Sequence, residues 1–94
     1  MLHIIRQSPF QQDISHELAC LLTSHDEVVL IDDGVYFCQC LHLQLLLDKS
    51  KTVYLVQEHA QARGISAAKG TLGITFDELS TLILEANKTL TWQT

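Results

Sequence analysis

A strand that hands over to a helix within a few residues leaves a short chain few folds to choose from, and this chain does so at its start. Met1–Arg6 carries the apolar run Leu2-His3-Ile4-Ile5, which reads as a strand, and Gln7-Ser8-Pro9-Phe10-Gln11 reads as a helix opening. Ser8 can accept a bond from an unpaired N–H of the first turn. Pro9 suits the first helical position, and Gln11 can close a capping box back onto Ser8. A strand joined to a helix this tightly is half of a parallel βαβ unit, and α/β proteins place their chemistry at the carboxyl ends of such strands. Here that place carries no glycine-rich phosphate loop and no evident nucleophile.

The alternation continues down the chain. Phe10, Ile14, Leu18, Leu21 and Leu22 recur at helical spacing, with Gln12, Asp13, His16 and Glu17 on the other side. Glu27–Asp32 encloses Val28-Val29-Leu30-Ile31, an unbroken apolar run that suits a strand covered on both faces. Asp33-Gly34 turns the chain into a second helix, expected from Val35 to Leu47. Thr52–Val56 is a third buried strand, and Gln57–Arg63 a short helix that Gly64 can end in a left-handed conformation. A short strand is expected near Leu72–Thr75. Thr75-Phe76-Asp77-Glu78 is a second capping box, opening a helix striped by Phe76, Leu79, Leu82, Ile83 and Ala86. Thr89–Trp92 alternates like a terminal strand. This order predicts one domain over residues 1–94: a small, doubly wound α/β fold. Its sheet is mostly parallel, with helices on both faces and right-handed crossovers.

The second helix is the anomaly. Val35, Tyr36, Phe37, Cys38, Cys40, Leu41, Leu43, Leu45, Leu46 and Leu47 leave it no continuous polar face. A helix apolar all round is normally buried all round, and a chain of 94 residues has little else to cover it. The favoured reading is an interface with another subunit, involving Tyr36, Phe37, Leu41 and, from the terminal strand, Trp92. The alternative is a helix broken partway, which would hide more of these side chains inside the chain.

Composition narrows the function classes. A net charge of −5, with six scattered basic residues, argues against direct nucleic-acid binding, which needs a basic face. No secretory leader is visible, and the apolar stretch Val35–Leu47 is too short to span a bilayer. Three cysteines form no secreted framework, so a cytoplasmic location is expected.

Each candidate for chemistry has a structural competitor. On a helix, Cys38 and Cys40 would point about 200° apart and could neither chelate one ion nor join, so core packing is the better reading. His3, His16, His25, His42 and His59 are scattered and resemble no zinc motif, so no metal site and no cofactor are expected. Asp32-Asp33 ends a strand where paired carboxylates could share a proton, but Asp before Gly is ordinary turn and cap chemistry. Cys20 lies four residues after His16, a spacing that could stabilise a thiolate if both reach solvent. A buried, inert Cys20 is favoured. A stand-alone module binding a small ligand near Gln7 and Asp33 is a further reading.

Several features taken in order resemble the TusB/DsrH family of sulfur-relay subunits. They are Met1-Leu2-His3, Ser8-Pro9-Phe10, the Asp33-Gly34-Val35 turn, the Val53-Tyr54 strand, Glu58-x4-Arg63-Gly64 and the C-terminal Trp92. The likeness spans the chain and is weaker from Phe37 to Leu47 and from Ser66 to Leu72. It implies a DsrE/DsrF-like fold and a heterohexamer with sister subunits of the TusC and TusD type. In the TusBCD version, persulfide sulfur passes from an upstream carrier protein to a downstream one and ends in 2-thiolation of the tRNA wobble uridine. In the DsrEFH version, similar subunits serve sulfur oxidation. The sulfur-carrying sister holds its cysteine at the end of the third strand, ahead of a helix ending in Arg-Gly. The matching place here is about Val56, followed by Gln57. Persulfide transfer needs a thiolate on the receiving sulfur, and neither side chain has one. A non-catalytic subunit is therefore expected, with Cys20 as a minority candidate for a sulfur carrier, since some DsrH-type members hold a cysteine in the first helix.

Overall fold

The computed structural model describes residues 1–93. The strands β1 (Leu2–Ile5), β2 (Glu27–Leu30), β3 (Thr52–Val56), β4 (Leu72–Ile74) and β5 (Thr89–Trp92) form one sheet in the order β4-β3-β2-β1-β5. Every neighbouring pair is parallel, so the expected mostly parallel sheet is wholly so. The helices are α1 (Ser15–Leu21), α2 (Leu43–Lys49), α3 (Gln57–Ala62) and α4 (Phe76–Glu85), with a 3-10 helix over Asp32–Gln39.

Crossover handedness distributes these helices. Stepping from β1 through β2 and β3 to β4 in one direction places α1, the 3-10 helix, α2 and α3 on one face; the return to β5 places α4 on the other. Two cores result. Ile5, Val28, Leu30, Val53 and Leu55 meet Leu18, Phe37, Leu46 and Ala60 on the first face. Leu2, Ile4, Val29, Ile31, Val56 and Ile74 meet Leu79 of α4 on the second. Adjacent strand residues thus feed opposite cores, and the continuous apolar run of β2 is explained.

Local signals hold at the second capping box, where the Thr75 side chain accepts from the Glu78 N–H and the Glu78 side chain accepts from the Thr75 N–H. Gly64 closes α3 with φ of 66°, while the Ile65 N–H reaches back to the Ala60 carbonyl at 2.9 Å. Gly34 is required for another reason: a β-carbon there would sit 2.0 Å from the Ile5 carbonyl oxygen. The β2 exit loop is pressed onto the end of β1.

Two expected helices come out differently. The first begins at Ser15 rather than Ser8. Ser8 Oγ accepts the Phe10 N–H at 3.1 Å and forms a local turn instead of a cap, and Asp13 Oδ1 then accepts the Ser15 N–H at 2.9 Å at the true start. Phe10 is left 62% exposed rather than joining the core stripe. The second helix breaks at Cys40–His42 into the 3-10 helix and α2. With the axis reset, Val35 and Phe37 point into the core from one piece, and Leu43 and Leu46 from the other. Phe37, expected at an interface, is 1% exposed and belongs to the chain's own core; Leu41, at the break, is 95% exposed.

A buried polar chain ties the terminal strand to the sheet. Trp92 Nε1–H donates to His3 Nδ1 at 3.1 Å, so His3 carries its proton on Nε2, which faces Asp26 Oδ2 at 3.2 Å. Burial works against the Asp26 carboxylate. Bonds from the Met1 ammonium, the Thr23 N–H and His3 outweigh it and hold the carboxyl below its ordinary range. Across the other face, Tyr54 donates to Glu27 Oε2 at 2.6 Å, and that bond, with burial, pushes the phenol up to about 12.

Candidate functional site

The carboxyl ends of β1 and β2, with the ends of α3 and β5, enclose an open cleft of about 370 Å³ lined by Arg6, Gln7, Gln11, Asp32, Asp33, Arg63 and Gln93. Arg6 leaves β1 and donates through Nε to Asp32 Oδ2 at 2.8 Å and through Nη1 to Gln93 Oε1 at 3.0 Å. Arg63, after α3, donates through Nε to Asp33 Oδ1 at 3.0 Å. Asp32 takes a left-handed φ of 49°, and its N–H donates to His59 Nδ1 at 2.9 Å. Asp tolerates that conformation better than most residues, and His59 and Arg6 hold it there. The turn-and-cap reading of Asp32-Asp33 is thus corrected in part: the pair makes the turn, but its carboxylates face guanidinium groups rather than capping the 3-10 helix.

Gln7 is buried at 6% exposure, and its Nε2 has no partner among the described residues. With two guanidinium groups set against two carboxylates, the cleft is formally neutral. It can hold polar groups by hydrogen bonding, and its described lining residues include no thiol or hydroxyl. The sequence pointed to Gln7, Asp32 and Asp33; it gave no sign of Arg6, His59 or Gln93, whose partners lie 26, 27 and 87 residues away.

At the end of β3, Val56 is fully buried beneath α4, and Gln57 is exposed as the first residue of α3. No thiol stands at this strand end. Cys20 is exposed, which corrects the expectation of burial, and its Sγ lies 3.9 Å from His16 Nε2. Because α1 runs antiparallel to the strands it joins, Cys20 in its last turn sits toward the amino ends of the strands, away from the cleft. Cys38, half-buried, packs against the first core as expected, whereas Cys40, also half-buried, lies at the helix break outside it. Burial pushes the Cys38 thiol up, and Cys40 Sγ accepts the His42 N–H at 3.4 Å. Of the other interface candidates, Tyr36 and Trp92 are half-buried. Among the described residues, no three His, Cys, Asp or Glu side chains converge as a metal set, and no helix is long and apolar enough to cross a membrane.

A wholly parallel five-stranded sheet, one helix on one face against the rest on the other, and an ion-paired polar cleft at the strand ends define a small α/β protein. Residues 7–89 match the family model described as DsrH like protein, and the chain belongs to that family. It is 28% identical over 96 residues to Protein TusB of Buchnera aphidicola subsp. Acyrthosiphon pisum, covering 98% of this chain and 100% of the relative. To Protein TusB of Erwinia tasmaniensis it is 38% identical over 69 residues, covering 71% of this chain and 72% of the relative. The solution NMR structure of protein Tm0979 from Thermotoga maritima shares the fold, with a TM-score of 0.63 at 21% identity, over 94% of this chain and 97% of that one.

Proposed function

We propose that this chain is a non-catalytic subunit of a cytoplasmic sulfur relay, in which persulfide sulfur moves between carrier proteins toward 2-thiolation of the tRNA wobble uridine. The observation that carries this reading is the strand end of a DsrH-family chain occupied by a buried valine and an exposed glutamine. Sulfane transfer requires a thiolate to attack the terminal sulfur of the donor persulfide, forming a new S–S bond while the donor leaves as its thiolate. Val56 and Gln57 can do neither part. The contribution is then structural: sister subunits of the TusC and TusD type assemble with this chain and supply the thiol. Leu41, fully in solvent, with half-buried Tyr36 and Trp92, offers them apolar surface.

The test is incubation of the purified chain with a persulfide donor, followed by intact-mass spectrometry and a transfer assay with and without the sister subunits. The expected result is no stable sulfur adduct on the isolated chain and transfer only when the sisters are present. Efficient transfer by the chain alone refutes the reading. A second reading, Cys20 as carrier, is favoured by its exposure and the neighbouring His16. It requires one added sulfur atom on Cys20 and loss of transfer in Cys20→Ser.

A further inference from the structure

The cleft of about 370 Å³ at the strand ends holds more hydrogen-bonding capacity than the chain itself uses. Each guanidinium on it is pinned at two points. Arg6 spends its Nε–H on Asp32 and an Nη1–H on Gln93, and Arg63 spends its Nε–H on Asp33 and an Nη1–H on the His59 carbonyl. The Nη2 of each is without a partner among the described residues, which leaves a rigid pair of donors over. Two acceptors are left over as well. Asp33 uses only Oδ1. Asp32 Oδ1 lies 3.7 Å from His59 Nδ1, a nitrogen that already accepts the Asp32 N–H and has no proton to give. Gln7 lines the same cleft at 6% exposure, and its Nε2 is buried with no partner among the described residues. An unpaired buried amide costs stability and calls for a partner from outside the chain. The planar amide has two ends of similar size, so a half-turn presents either its N–H groups or its oxygen to a ligand.

We propose that this cleft binds a free α-amino acid, with the carboxylate on Arg6, Arg63 and Gln7 and the ammonium on Asp32 and Asp33. The charge of the site selects the class. Two guanidinium groups against two carboxylates leave it neutral, so a zwitterion matches both signs and adds no net charge. A phosphate dianion brings surplus negative charge beside Asp32 and Asp33, and an amine alone meets Arg6 and Arg63. A peptide holds its ammonium and carboxylate at opposite ends, whereas an α-amino acid carries both on one carbon and fits a cleft of this size. Both arginines are held in place before the ligand arrives, which lowers the ordering cost of binding. The site uses no thiol and no sister subunit, so its failure and the failure of the relay reading are separate results.

Isothermal titration calorimetry of the full chain with glycine, serine and glutamine should show saturable one-to-one binding of at least one of them. For that amino acid, N-acetylation and carboxyl amidation should each weaken binding about tenfold or more, since each removes a charged hydrogen-bonding group. Gln7→Leu nearly keeps the side-chain volume and removes the orphaned donor. Its urea midpoint should hold or rise while its affinity for the amino acid falls about tenfold. Asp33→Asn should weaken the amino acid and strengthen binding of acetate, because a carboxylate ligand gains when a like charge is removed. In the native chain, with no substitution, the Gln7 side-chain amide and the Arg6 and Arg63 Nε–H resonances should shift as the amino acid is added. Heat from none of the three amino acids overturns the proposal. So does an N-acetyl derivative or inorganic phosphate that binds as tightly, an unchanged affinity in Gln7→Leu, or a saturating titration that leaves those resonances unmoved.

Discussion

Phe37 and Leu41 lie four residues apart in the same apolar stretch, and the structure gives them opposite fates. Phe37 is 1% exposed inside the first core, and Leu41 is 95% exposed at the helix break. Truncating a buried phenylalanine costs about 3–5 kcal/mol in lost transfer energy and residual cavity. A 94-residue domain of ordinary stability has only about 5–14 kcal/mol in all. Phe37→Ala should therefore remove about a fifth of the total or more, whereas Leu41→Ala, which uncovers nothing, should change stability by less than about 0.5 kcal/mol. With a urea dependence of about 1–1.5 kcal/mol per molar, the Phe37 variant should unfold roughly 2–5 M earlier than the native chain. Equilibrium urea unfolding followed by circular dichroism reads both numbers. A Phe37→Ala midpoint within about 0.5 M of the native value, with assembly lost, would refute the core placement and return Phe37 to an interface.

Gly34→Ala sets a methyl 2.0 Å from the Ile5 carbonyl oxygen, and the β1 end or the β2 exit loop must move. A loss of about 3 kcal/mol or more is expected by the same urea assay, and a cost under about 1 kcal/mol would show that the loop is not clamped. The Asp26 carboxyl is held below its ordinary range in the folded chain. Its contribution is therefore complete above the unfolded value of about 3.9 and is lost as pH falls through the folded value. Asp26→Asn should lower stability near neutrality and flatten the acid limb of the stability–pH curve; an unchanged limb counts against the buried Trp92–His3–Asp26 chain.

What could be read without the structure was whatever depends on neighbours in sequence. The run Val28–Ile31 needs no partner to declare itself doubly covered, and the Thr75–Glu78 box acts within one turn. Those elements appear where they were expected. The readings that failed are the ones in which two local outcomes compete. Ser8 can cap a helix or close a turn with Phe10, and only the packing of Ser8 and Pro9, both buried, decides for the turn. The stretch Val35–Leu47 is apolar in either one helix or two, and the break is fixed by which side chains the first core can take. Cys20 shows the converse: its apolar neighbours suggested burial, yet Leu18 alone turns inward and Leu21 stays exposed beside it. The cleft was visible only at Gln7, Asp32 and Asp33, because its ion pairs join residues far apart in sequence.

The silence of this strand end is a matter of packing as well as residue identity. Val56 belongs to the core beneath α4, together with Val29, Ile74 and Leu79. A thiol placed there would face hydrocarbon and behave as an inert, buried cysteine. Gln57 is the exposed neighbour, and its side chain lies against Gly73, where a β-carbon would come within 2.5 Å of its Nε2. Val56→Cys should therefore resist alkylation in the native state and react only on unfolding. Gln57→Cys should react at the rate of an open thiol. If Val56→Cys instead reacts as fast as Gln57→Cys, the β3 end is not sealed by α4, and residue identity alone keeps a reactive thiol from this position.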